Sequence, residues 1–125
     1  MARPLLSFFS LFAAVLAVSF FTILQLCNLL FTCGCTATST DRCNIQQDVM
    51  AKCPWCAHGS GAFATVYGLM MIIAAAAIIL TLKWTRGRLT VAFLAGLLVY
   101  WFIGSAAGLA AALFYHYPTL YGLKI

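Results

Sequence analysis

Apolar and polar positions along this chain are sorted into long blocks. No charged side chain occurs over residues 5–31, a polar stretch follows at 32–60, and two further apolar runs occupy 61–82 and 89–115. The last two are separated only by Lys83-Trp84-Thr85-Arg86-Gly87-Arg88. A helix crosses a hydrocarbon core about 30 Å thick with about 20 apolar residues, and each run meets that length. The pattern predicts an all-α membrane protein, one domain over 1–125, with three transmembrane helices and a cysteine-rich loop between the first and second. The short connection at 83–88 predicts that spans two and three form an antiparallel hairpin.

Composition places the chain in the membrane class: hydrophobic residues make up 65% and charged residues 7%, with a mean hydropathy of +1.04. The net charge of +5 is a topology signal rather than a nucleic-acid surface, because the basic residues flank apolar runs. Arg3, Lys83, Arg86 and Arg88 have no acid among them, whereas the polar loop balances Arg42 and Lys52 against Asp41 and Asp48. The positive-inside rule then places the N-terminus and loop 83–88 on the cytoplasmic side, and loop 32–60 and the C-terminus outside it. The first run exceeds the apolar region of about 7–15 residues usual in signal peptides, and no Ala-x-Ala-like site stands out before Cys33, so a retained helix is expected. An inner, plasma or organellar energy-converting membrane is the expected location.

Small and polar residues inside the spans predict contacts. Gly61 and Gly68 make one side of span two small, and Gly104, Gly108 and Ala112 form a ridge on span three that admits close helix approach. Gln25 and Asn28, three residues apart on span one, define a polar face expected to point at protein. Trp101 falls near the middle of span three, and its indole N–H calls for a packed environment.

The loop concentrates the chemistry. Cys33, Cys35, Cys43, Cys53 and Cys56 lie in it, and Cys27 falls within the first span, where it reads as a small buried hydrophobe. In an extracytoplasmic compartment the five loop cysteines are disulfide candidates of unassigned connectivity. Within Cys53-Pro-Trp-Cys56, Pro54 suits the first turn of a helix, and a helix N-terminus would favour a Cys53 thiolate. This motif, its place at the mouth of the second span and the run Gln47-Asp-Val-Met50 ahead of it are similar to membrane thiol oxidases of the DsbB and vitamin K epoxide reductase type. Those pass electrons from protein thiols to a quinone through a four-helix bundle. The resemblance implies that Cys53 and Cys56 are the quinone-proximal catalytic pair, with a shuttle pair drawn from Cys33, Cys35 or Cys43. This chain has three spans and no second cysteine pair after Cys56.

A second chemistry open to the same residues is metal binding. Cys33, Cys35, Cys53, Cys56 and His58 offer thiolates and an imidazole for Zn²⁺ or Cu(I). The two carboxylates, both in the loop, leave no paired acids, and there is no phosphate-binding Gly loop or Ser-His-Asp set. No ionisable residue interrupts a span, as an ion path generally requires. The expected role is a small accessory or structural subunit of a larger membrane complex, its loop stapled by disulfides and its Gly/Ala faces docked on other membrane subunits. A thiol oxidoreductase and a metal-binding membrane protein are the alternatives. The bilayer and other membrane proteins are the expected partners, nucleic acid is not, and no cofactor is predicted.

Overall fold

The computed structural model describes residues 2–34, 52–57, 59–121 and 123–124. Cys35, Cys43 and His58 lie outside the described residues, and Cys56 is described by its backbone alone. Four helices follow in order: α1 (Ala2–Phe31), α2 (Pro54–Ala57), α3 (Gly59–Trp84) and α4 (Leu89–Phe114). Two-residue strands, β1 (Thr119–Leu120) and β2 (Leu123–Lys124), pair antiparallel near the C-terminus. α1, α3 and α4 are long and apolar enough to cross a membrane, so the predicted three-helix architecture is the one observed, with the short strand pair as an addition that was not expected. At 1.5 Å per residue, each is about 40 Å long, enough to span a hydrocarbon core of about 30 Å with turns to spare.

The α3–α4 hairpin follows from its local chain chemistry. The Gly87 N–H donates to the Leu82 carbonyl at 3.0 Å while Arg86 takes a left-handed φ of 53°, the bonding of a Schellman helix end. Gly87 continues the reversal with φ 86°, which glycine adopts without a Cβ penalty. The end of α4 repeats the pattern: Tyr117 N–H reaches Ala112 O at 2.8 Å over a left-handed His116. That cap turns the C-terminal segment back across the end of the bundle.

α4 carries the packing stripe. Its buried residues, Ala92, Gly96, Tyr100, Gly104, Gly108 and Ala112, recur every fourth position and so share one face. A Cβ at Gly104 would lie 2.6 Å from both Leu26 of α1 and Met70 of α3, and one at Gly108 would lie 2.7 Å from Leu30 of α1. The small residues let these side chains seat against the α4 backbone, and dispersion between such closely fitted surfaces drives helix association in lipid. Within this chain, therefore, the expected Gly104-Gly108-Ala112 ridge is filled by α1 and α3. Gly68 has open space beside it, and Gly61 lies in the first turns of α3.

One polar cluster lies inside the bundle. Ser19 is fully buried; its hydroxyl lies 2.8 Å from the Tyr67 hydroxyl, 2.9 Å from Leu16 O and 3.3 Å from Met71 Sδ. The Tyr100 hydroxyl donates to Ser19 O at 3.2 Å. If Tyr67 donates to Ser19 and Ser19 to Leu16 O, each hydroxyl is satisfied, as a low-dielectric interior demands. Trp101, half-buried, meets Tyr100 edge-on at 6.2 Å.

Candidate metal centre

The end of the bundle where α1 finishes and α2 begins brings three cysteines together. Cys27, Cys33 and Cys53 have all their sulfurs within 4.8 Å of one another. Cys27 Sγ is 3.5 Å from Cys33 Sγ and 3.3 Å from Cys53 Sγ. These are non-bonded distances, well beyond the roughly 2.05 Å of a disulfide. All three residues are buried.

Each sulfur is positioned by a separate local device. Cys27 comes from the inward face of α1, flanked by the buried Leu26, Leu30 and Phe31. Cys33 is folded back beneath it by a left-handed residue at the helix end, Thr32, with φ 49°. A β-branched residue is uncommon in that region and strained there, at a cost on the order of 1–3 kcal/mol, so the turn must be held from outside. Asn28 supplies the hold: its Oδ1 accepts the Gly34 N–H at 2.8 Å, and its backbone carbonyl accepts from Thr32 at 2.8 Å. Gly34 itself has φ 73°, open to glycine. Cys53 stands immediately before α2, with Pro54 at the first helical position, as its missing N–H allows. Because α2 is one turn long, it offers little macrodipole to the Cys53 thiolate, and the stabilisation expected from a helix N-terminus is correspondingly small.

An aromatic wall belongs to the same buried cluster as the sulfurs. Phe31 meets Trp55 edge-on at 5.4 Å and Tyr117 edge-on at 5.4 Å, all of them buried. The C-terminal segment fastens this wall to α1. The Tyr117 hydroxyl donates to Phe31 O at 3.0 Å and the Tyr121 N–H to Leu30 O at 2.8 Å, occupying carbonyls that the last turn of a helix leaves open. The Tyr121 hydroxyl lies 2.6 Å from Ser105 Oγ. Trp55 Nε1 is a buried donor without a hydrogen-bond partner among the described residues.

The sequence-based candidates separate accordingly. Cys33 and Cys53 belong to the centre; Cys35, Cys43 and His58 lie outside the described residues, and the side chain of Cys56 is likewise undescribed. No disulfide forms among the described residues. Cys27 is buried as expected, and its sulfur lies between those of Cys33 and Cys53. Its companion signal in the sequence was Asn28, an amide beside a cysteine at the end of a span. Gln25 is exposed on α1, while Asn28 is committed to the Gly34 turn. Compared with protein family models, curated proteins and solved structures, the chain matches none.

Proposed function

We propose that this is a small integral membrane protein that binds a thiophilic metal ion, Cu(I) foremost, through Cys27, Cys33 and Cys53 at one end of its helical bundle. The observation that carries this reading is the convergence of these buried sulfurs within 4.8 Å. Trigonal ligation at a metal–sulfur distance of about 2.3 Å sets ligand sulfurs about 4.0 Å apart, so the separations of 3.3 and 3.5 Å would widen by about half an ångström to take the ion. Soft thiolates select Cu(I) and Zn²⁺. Three sulfurs among the described residues supply soft donors in a number that Cu(I) accepts, whereas structural zinc takes a fourth protein ligand.

Thiol oxidation is the weaker reading. Closing a Cys27–Cys53 bond would release two protons and two electrons to an acceptor such as a quinone, and exchange with a protein thiol would need an open path to sulfur. Cys27 and Cys53 are buried, which opposes that access; the side chain of Cys56, the partner that the resemblance implies for Cys53, lies outside the described residues. For the subunit reading, the α4 ridge is occupied from within the chain, while the space beside Gly68 is open. The basic residues place the cysteine end outside the cytoplasm by the positive-inside rule, and reporter fusions at residues 43 and 86 test that orientation.

The functional test is metal analysis of the protein purified under reducing, anaerobic conditions and titrated with Cu(I) against a chromogenic chelator. Stoichiometric, high-affinity copper that falls on Cys27→Ser substitution supports the reading. Stoichiometric zinc would reassign the metal, and the absence of any bound soft metal would refute it.

A further inference from the structure

At the opposite end of the bundle, we infer that the cleft between the start of α1 and the α3–α4 hairpin is a binding site for the phosphate headgroup of an anionic phospholipid. The cleft measures about 340 Å³ and is lined by Ser7, Leu82, Lys83, Arg86, Gly87 and Leu89. The cleft itself is lined almost wholly by apolar surface, which suits the upper acyl chain and leaves the phosphate to the cations at its rim. Leu82 and Leu89 end and begin the membrane-crossing helices α3 and α4 and form an apolar wall at the depth where acyl chains start, while Lys83 and Arg86 stand exposed at its rim. Gly87 contributes no side chain, and the space beside it is open.

Charge commits the occupant. A second cleft, about 530 Å³, lies against the same hairpin and is lined by Trp84, Thr85, Arg86, Arg88 and Val91, so Arg86 borders both. The chain's only acidic side chains, Asp41 and Asp48, belong to the connection that joins the other ends of α1 and α3. Among the described residues no carboxylate side chain is present to pair with the hairpin cations, and the anion that is abundant at headgroup depth is lipid phosphate. Basic pockets between membrane helices recognise such headgroups, and the cytoplasmic leaflet, where positive-inside orientation would put this hairpin, is the one enriched in anionic lipid. Trp84, 85% exposed, sits at the same level as an interfacial aromatic and provides a reporter.

The test reconstitutes the full-length protein into phosphatidylcholine vesicles containing a minor share of phosphatidylglycerol, with bromine-labelled chains on one lipid or the other. Quenching is read as the part of the tryptophan signal lost in Trp84→Phe. Preferential quenching by brominated phosphatidylglycerol is expected, weakened roughly five-fold by each of Lys83→Gln and Arg86→Gln, the factor given by about 1 kcal/mol per basic residue, and restored by Lys83→Arg. Equal quenching by both lipids, or a preference indifferent to those substitutions, would overturn the inference. Loss of the preference on adding inorganic phosphate would also overturn it, by showing that the site takes the free anion. Because these residues lie at the other end of the bundle from the cysteines, the outcome is independent of the metal reading.

Discussion

Cys27 Sγ lies 3.3 Å from Cys53 Sγ, although 26 residues separate the two in sequence. Cys27 is set by the register of a long membrane helix, and Cys53 by the entry into a one-turn helix leading to the next span. Cys33 joins them only because the chain reverses at Thr32. Such an arrangement is sensitive to the parts that hold it.

Asn28 is the first of these. Asn28→Ala removes the acceptor for the Gly34 N–H and leaves a strained Thr32 turn without its clamp. The expected loss is about 0.5–1.5 kcal/mol of stability, together with a marked fall in Cu(I) affinity, because Cys33 is no longer held under Cys27. Chelator competition measures the affinity. An affinity equal to that of the unsubstituted protein would mean that Cys33 is placed by something other than this turn.

Tyr117 separates sealing from hydrogen bonding. Tyr117→Phe keeps the ring against Phe31 and loses the bond to the Phe31 carbonyl, about 1 kcal/mol. Tyr117→Ala opens the wall. Maleimide labelling of the metal-free, reduced protein, followed by peptide mapping of Cys27, Cys33 and Cys53, should be slow in the unsubstituted protein and in Tyr117→Phe, and fast in Tyr117→Ala. Equal rates in all three would show that the sulfurs are reached by another route.

Gly108→Leu places a branched side chain where Leu30 of α1 already sits. Overpacking of this kind costs about 1–3 kcal/mol and pushes α1 away from α4. Thermal unfolding in mild detergent should show the loss, and Gly68→Leu, made where there is open space, should not. Equal effects of the two substitutions would contradict the placement of α1 on the α4 stripe.

Much of the architecture was legible because membrane spans announce themselves by uninterrupted apolar length, and because Pro54 and the 83–88 connection carry local turn chemistry. The Gly104-Gly108-Ala112 ridge was legible as a contact surface. Its occupant was not, since small residues specify close approach without naming the helix that approaches. The cysteine centre was half legible: Cys33 and Cys53 stood out in a polar loop, whereas Cys27 sat in an apolar helix, where a thiol ligand and a small core residue look alike. The link between Cys27 and Cys33 runs through a left-handed Thr32, a conformation that threonine's own preferences oppose. Nor does local pattern reveal the strand pair at Thr119–Lys124, whose neighbour Tyr121 is anchored by the Leu30 carbonyl, an acceptor distant in sequence.

X-ray absorption at the metal edge of the Cu(I)-loaded protein tests the metal centre most directly. The expected spectrum is a first shell of sulfur alone at about 2.3 Å, with one scatterer fewer in Cys27→Ser, the position that sequence reasoning would have left aside. A shell of nitrogen or oxygen, or a sulfur shell unchanged by Cys27→Ser, would contradict a centre built on Cys27, Cys33 and Cys53.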